Sequence, residues 1–568
     1  MTSTVEPQVR TKALVDVENL TVDFTRGGVV TRAVDGVSFR LEAGKCHALV
    51  GESGSGKTVT ARSLVGLNPE TATVRADRLR FDSKDLLQFD DRQWRDIRGG
   101  RIGLVLQDAL VSLDPLRTIG HEVSEALSPR RPRSRSRRAE LRSRAAELLS
   151  DVGIPDPERR LDQYSHELSG GLRQRALIAT AVAQTPDVII ADEPTTALDT
   201  TVQKQIIELL RSRLDRGAAL ILISHDLSLV AEIADEITVM QNGRVVEQGT
   251  PADVFFDPQE AYTKSLLAAV PTAAAKGFRL SESENRIPLP ARRIHRERVV
   301  LDVEAVSKTY HGKGGFSRRA VDSVDLSLHA GETVGIVGES GSGKTTLMRI
   351  ALGLLTPDEG AVRLDGDVWN PLPEKARRAR RSRMQLVSQD PLGSFDPRYT
   401  VGRLIADGVA AAGVGGKERQ RRVVELLESV GLDSSFVARR PLQLSGGQRQ
   451  RVAIARALAP APAVLVCDEP VSALDVSVQA QVLDLIADLQ HEHGTSVLFV
   501  SHDLGVIHHV SDRVVVLSEG RVVESGDVDS VYRRPTHPYT RTLLDAVPTL
   551  ASAHARRTTE PSLERGER

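Results

Sequence analysis

Short, unbroken apolar runs recur along this chain, each followed by a glycine-rich or polar break and then by a helical pattern. The clearest are Cys46–Val50, Val188–Ala191 and Leu220–Ile223 in the first half, and Thr333–Val337, Val464–Cys467 and Val497–Val500 in the second. Runs this short, with no polar alternation, fit strands buried on both faces. Their alternation with helical segments predicts an α/β fold: a mostly parallel sheet with helices on its faces. Towards the end of each half the period changes to that of a helix. Tyr262, Leu266, Leu267 and Val270 share one helical face, as do Tyr539, Leu543, Leu544 and Val547. Both faces are read as packing that staples a helix to its own domain. No apolar stretch approaches the ~18–20 residues needed to span a bilayer, and the opening MTSTVEPQVR has no apolar signal core. The chain is therefore read as soluble by itself, with docking on a membrane partner left open.

The two halves echo each other. GESGSGKT occurs at Gly51–Thr58 and again at Gly338–Thr345. LSGG occurs at Leu168–Gly171 and Leu444–Gly447, ADEPTTALD at Ala191–Asp199 answers CDEPVSALD at Cys467–Asp475, and SHDL occurs at Ser224–Leu227 and Ser501–Leu504. AYTKSLLAAVP (Ala261–Pro271) is matched by PYTRTLLDAVP (Pro538–Pro548). Each LSGG serine precedes the DE aspartate by 23 residues in both halves, 169 to 192 and 445 to 468. A period this long is a tandem domain and not a solenoid unit. The expected organisation is a first domain over 12–271, a linker over 272–298 that mixes Ala, Ser, Pro and Arg without apolar periodicity, a second domain over 299–550, and a polar tail over 551–568.

Composition narrows the chemistry. Of 568 residues 40% are hydrophobic, enough for sizeable cores, and the net charge of -1 gives no global field favouring nucleic acid. Only two cysteines are present, Cys46 and Cys467, each inside an apolar run. They read as small core residues, and they cannot supply a four-cysteine zinc or iron–sulfur site.

GESGSGKT fits G-x-x-x-x-G-K-[ST], follows an apolar strand and opens a helix, the context a phosphate-binding loop requires. Backbone N–H groups from Gly51, Ser53, Gly54, Ser55 and Gly56, and from Gly338, Ser340, Gly341, Ser342 and Gly343, would turn inward around phosphates at a helix N-terminus. Lys57 and Lys344 would reach the terminal phosphates of ATP, and Thr58 and Thr345 would hold Mg²⁺. Asp192–Glu193 and Asp468–Glu469 each end a buried strand, where open α/β sheets bind ligands. The aspartates are expected to bind Mg²⁺ through its shell, and the glutamates to orient or deprotonate an attacking water. His225 and His502, one residue past a further strand, are read as sensors of the terminal phosphate that also steady the water and the glutamate. In LSGG, Ser169, Gly170 and Gly171, and Ser445, Gly446 and Gly447, offer a second anion site per half at a helix start. A second anion site makes sense if it faces the other half's nucleotide.

With these motifs the chain resembles the ATP-binding cassette (ABC) ATPases over Leu14–Pro271 and Leu301–Pro548. The resemblance implies two P-loop nucleotide-binding domains in tandem, each with a mostly parallel core sheet, an antiparallel β subdomain and a helical subdomain. It implies intramolecular, head-to-tail pairing with two ATP molecules at the interface, Gly51–Thr58 facing Ser445–Gly447 and Gly338–Thr345 facing Ser169–Gly171. Phe24 and Tyr310 match the family's adenine-stacking aromatic. Gln107 and Gln389 match its glutamine that touches Mg²⁺ and senses the transport partner, and Asp199 and Asp475 its interface aspartate. Both sites carry every one of these residues. Leu172 stands where the commoner residue is the Gln448 of the second half, and Ala109 interrupts the QDPL pattern seen at Gln389–Leu392.

Within the family, QDALVSLDP (Gln107–Pro115), QDPLGSFDP (Gln389–Pro397) and the two terminal segments resemble the importer ATPases for dipeptides, oligopeptides and nickel. The implied function is the ATP-hydrolysing subunit of a bacterial importer of di- or oligopeptides, with nickel or glutathione as alternative cargo. The implied partners are two membrane permease subunits and an extracytoplasmic solute-binding protein, with the chain held peripherally at the cytoplasmic face of the membrane. A soluble twin-cassette factor acting on ribosomes is the rival. Such factors usually carry a long charged helical linker, which this chain lacks. The basic run Ser128–Arg138 reads as a solvated, partly disordered loop, or alternatively as a contact for anionic lipid, and Arg377–Arg383 is read the same way.

Overall fold

The computed structural model describes residues 13–106, 112–128, 134–195, 198–282, 286–311, 317–547 and 550. These fall into two compact units, the first holding residues up to Leu198, Val202–Leu267 and residue 550, the second Asp199–Thr201 and Ala268–Val547.

In the first unit the strands run in the order Arg244–Gly249, Glu236–Gln241, Cys46–Val50, Ala219–Ile223, Val188–Asp192 and Ile102–Val105, and all neighbours are parallel except the first pair. Cys46–Val50, Val188–Asp192 and Ala219–Ile223 are buried at every position, which is why they lack alternation. The second unit repeats the arrangement: Met384–Val387, Val464–Asp468, Ser496–Val500, Thr333–Val337, Arg513–Ser518 and Arg521–Asp527, with only the last strand antiparallel. All six apolar runs are strands within a residue of their expected bounds. Each unit also carries an antiparallel sheet. One is built on Val15–Arg26, the other on His295–His311, and both mix buried with half-buried and exposed positions. Both cysteines are buried thiols outside any disulfide, and burial pushes the Cys467 thiol well above its ordinary range.

Residues 272–298 contain a 3₁₀ turn at Ala273–Ala275 and, from His295, the start of a strand. The segment is bonded to the second unit. Asp484, on the helix Val476–His493, accepts from the Leu280 and Ser281 backbone N–H groups at 3.0 and 2.9 Å. Arg279 forks onto Asp488 (2.9 and 2.6 Å), and Arg292 reaches Gln490 and Asp512. Leu280 is the apolar anchor, 1% exposed among core residues.

The two basic runs differ where they are described. In the first, Pro129–Arg133 lie outside the described residues, and Ser134 caps the helix Arg135–Asp151 by accepting from the Arg137 N–H. In the second, the arginines fold back on the protein: Arg377 is buried, Arg381 donates to the Leu352 carbonyl, Arg380 to that of Leu364, and Arg383 pairs with Asp365. Arg377 and Arg381 both lie against the Trp369 ring. The guanidinium donors thus reach chain carbonyls at the end of a helix and of a strand.

Among the described residues, no helix is long and apolar enough to cross a membrane.

Candidate nucleotide sites

Three neighbouring parallel strands of each sheet end together, and each ends in a motif. In the first unit Cys46–Val50 runs into the phosphate loop, Val188–Asp192 into Glu193, and Ala219–Ile223 into His225. The loop needs glycine where the chain turns most sharply. Gly51 has φ 141°, and a Cβ there would meet the Met240 carbonyl at 2.1 Å; Gly338 has φ 150° with the Leu517 carbonyl at 2.2 Å. The helices Lys57–Ser63 and Lys344–Ala351 start directly from the loops.

Both lysines are buried and curl back over their loops. Lys57 Nζ donates to the Gly51 and Glu52 carbonyls, each at 2.7 Å, and Lys344 Nζ to those of Gly338 (2.5 Å) and Glu339 (2.8 Å). Burial lowers the Lys344 ammonium's pKa even with Glu469 opposing it. A partly desolvated cation in a ring of backbone dipoles is poised to exchange carbonyls for phosphate oxygens.

The acidic pairs sit under the loops. Asp192 is 3% exposed and accepts from the Thr58 hydroxyl at 3.3 Å. Burial raises its pKa, with the Thr58 bond acting the other way. Burial, reinforced by Glu469, raises Asp468 to about 6. A hydroxyl beside a carboxylate whose charge is disfavoured by burial is a hard-oxygen donor set that fits Mg²⁺, an ion that takes one or two protein ligands and completes its shell with water and phosphate. Among the described residues no cluster of three or more His, Cys, Asp or Glu side chains could hold a metal by itself. Thr58 with Asp192 is thus a donor pair that could hold the ion, and Asp468 stands at the matched strand end of the second unit.

Each glutamate is paired with its histidine: Glu193 Oε1 lies 2.5 Å from His225 Nε2, and Glu469 Oε1 lies 3.1 Å from His502 Nδ1. Glu469 also accepts from Gln389 Nε2 at 2.7 Å. Burial acts to raise the Glu469 carboxyl, but the His502 hydrogen bond and charge, with Lys344, bring it below its ordinary value. Burial acts to lower His502, and Glu469 lifts it above 6.5. Both glutamates have positive φ, 52° for Glu193 and 46° for Glu469. Their N–H groups are tied to Ile223 and Val500 carbonyls on the adjoining strand. A non-glycine residue held there costs on the order of 1 kcal/mol or more. The two halves hold the same strained conformation at the residue expected to do chemistry.

The LSGG serines cap helices Gly170–Val182 and Gly446–Leu458. Ser445 and Gln448 exchange hydrogen bonds in a full capping box (3.1 and 3.3 Å), whereas Leu172 cannot return the bond and Ser169 caps alone. Phe24 is partly buried against the core and pairs with Ala72, while Tyr310 is 43% exposed at a strand end. Gln107 and Ala109 lie outside the described residues. One contact was not foreseen: the hydroxyls of Tyr262 and Tyr539 each accept a hydrogen bond from a phosphate-loop N–H at 3.0 Å. The only advance sign was a tyrosine at the matched position of both terminal segments.

Two strand-ending phosphate loops, each over an acidic pair and a histidine, define a protein of two ATP-hydrolysing cassettes. The chain belongs to the ABC transporter family, whose model matches residues 34–196 and 321–472. A second model, "oligopeptide/dipeptide transporter, C-terminal region", matches 246–294 and 523–568. Among curated proteins it is 44% identical over 95% of its length to the peptidoglycan transport ATP-binding protein YejF of Agrobacterium fabrum, covering 97% of that protein. It is 42% identical to the oligopeptide transport ATP-binding protein OppD of Mycobacterium tuberculosis (94% of this chain, 98% of that one). It is 40% identical to the glutathione import ATP-binding protein GsiA of Shigella dysenteriae (97% and 91%).

Proposed function

We propose that this chain is the motor subunit of a bacterial importer of di- or oligopeptides, with both nucleotide-binding halves fused in one polypeptide. The observation that carries the reading is the double occurrence of the peptide-transporter terminal region, once behind each complete set of catalytic motifs. Relatives of full length named for oligopeptide, peptidoglycan and glutathione transport support a peptide-like cargo. Glutathione, itself a peptide, is the second reading on the strength of the same similarity.

In this reading each ATP lies between the phosphate loop of one half and the LSGG helix start of the other. Lys57 and Lys344 bind the terminal phosphates. Glu193 and Glu469, held at positive φ, orient the attacking water and take its proton. His225 and His502 hold those carboxylates in place and contact the terminal phosphate. Mg²⁺, when bound at Thr58 and Asp192 or at Thr345 and Asp468, supplies positive charge against the phosphate oxygens. Fusion makes pairing of the halves intramolecular and raises their effective concentration. It also lets two docking faces differ, which suits two non-identical permeases at the cytoplasmic face of the membrane. Gln107 and Gln389 would report permease contact to the sites.

The test is genetic and biochemical together. A strain lacking the chain is expected to lose growth on peptides as sole nitrogen source, and the tagged chain is expected to copurify with two permeases that stimulate its ATPase activity. Copurification with ribosomes instead would overturn the reading.

A further inference from the structure

We propose that Tyr262 and Tyr539, carried by the helices behind each cassette, are positioning residues of the phosphate loops, bracing one peptide unit of each loop for ATP binding. The proposal rests on the assignment of Gly51–Thr58 and Gly338–Thr345 as phosphate loops, and it gives the terminal helices a role beyond packing.

The peptide unit joining Gly51 to Glu52 is held at both ends. Its carbonyl accepts from Lys57 Nζ at 2.7 Å, and its N–H donates to the Tyr262 hydroxyl at 3.0 Å. The second unit repeats this at Gly338–Glu339, with Lys344 Nζ at 2.5 Å and the Tyr539 hydroxyl at 3.0 Å. When the lysine ammonium moves to phosphate, the carbonyl loses its partner and the tyrosine remains the bond that fixes the plane. That peptide opens the turn, directly after the glycine whose φ of 141° or 150° sets the path of the loop. Rotation there would swing the N–H groups that follow away from the phosphates.

The tyrosines are themselves held firmly. Their helices, Ala261–Ala268 and Pro538–Asp545, bury Thr263 with Leu266 and Thr540 with Leu543. Each is tied to the antiparallel edge strand by a glutamate at its approach. Glu247 accepts from the Gln259 N–H at 2.7 Å; Glu524 accepts from the Thr536 N–H at 2.8 Å and the His537 N–H at 3.1 Å. His537 then caps the second helix by accepting from the Tyr539 N–H. Burial holds the Tyr539 phenol above its ordinary range, so it stays protonated at working pH.

The experiment compares full-length chain with the Tyr262→Phe/Tyr539→Phe variant, which loses only two oxygens. The expected result is a rise of about 3- to 10-fold in KM for ATP, the range one hydrogen bond per site supplies, with kcat within twofold. Leu266→Ala/Leu543→Ala, which thins the packing, is expected to lower the melting temperature and leave KM within twofold. A KM unchanged by the tyrosine variant, or a KM raised equally by the leucine variant, overturns the brace. Lys57→Ala/Lys344→Ala separates the two levels of the argument. Lost ATP binding in the lysine variant beside an unchanged tyrosine variant refutes the brace alone, whereas retained binding in the lysine variant refutes the loop assignment beneath it.

Discussion

Replacing Glu469 by glutamine tests the chemistry at its narrowest point. The side chain is isosteric, but it loses its charge and one acceptor. Glu469 now accepts from Gln389 Nε2 at 2.7 Å and pairs with His502 Nδ1 at 3.1 Å. A glutamine must turn its NH₂ towards one of these two groups, so one contact is lost. The carboxyl is held below its ordinary pKa by His502 and Lys344 against the pull of burial, so the wild-type site holds its base fully ionised at neutral pH. Removing a positioned base slows the step by ~10²–10⁴-fold, which is about 3–5 kcal/mol on the barrier. ATP binding uses the loop and not this carboxylate, and is expected to be unchanged. The assay is steady-state phosphate release by the full chain with its membrane partners, for Glu469→Gln, Glu193→Gln and the double variant. Independent sites leave each single variant with about half the turnover; coupled sites bring it down to the level of the double. In both cases the double variant falls at least ~10²-fold. A single variant with full turnover shows that its site is not catalytic, and the two-site account fails.

Two further predictions concern stability. Asp484→Ala removes the acceptor of the Leu280 and Ser281 N–H groups beneath a residue 1% exposed. It is expected to cost about 2–3 kcal/mol, read as a lower urea midpoint and faster amide exchange at Leu280 and Ser281; exchange unchanged there contradicts the docking of the segment. His509 is 5% exposed, has no hydrogen-bond partner at either ring nitrogen among the described residues, and is lowered to about 4 by burial, with Asp484 opposing. The folded pKa lies below the ordinary 6.5, so the unfolded chain takes the proton first as pH falls. Stability is therefore full above pH 6.5 and declines towards pH 4, by about 3 kcal/mol in all. His509→Leu is expected to flatten the pH dependence of unfolding in that window, and an equally steep curve in the variant refutes the assignment.

The six core strands were legible because strands buried on both faces leave unbroken apolar runs, and the repeat fixed which of them correspond. The lysines, acid pairs and histidines were legible because each follows such a strand at a matched distance. Backbone conformation was not: nothing in DEP announces that Glu193 and Glu469 sit at positive φ. Nor was the tyrosine contact, since apolar periodicity registers the ring of Tyr262 and is blind to where its hydroxyl points. The same periodicity passed over Thr263 and Thr540, polar in type yet 1% and 2% exposed. The order within Arg377–Arg383 and around Leu280 was not legible for a shared reason: it comes from hydrogen bonds to backbone carbonyls, to Asp365 and to Asp484, and composition carries no trace of those partners.

The central claim is that one chain holds two complete ATP sites. Its most direct measurement is the stoichiometry of ATP retained by the Glu193→Gln/Glu469→Gln chain with Mg²⁺, counted by rapid gel filtration or native mass spectrometry. The account predicts two ATP per chain, falling to none when Lys57 and Lys344 are also replaced by alanine. A plateau at one ATP per chain, with both lysines intact, would contradict it.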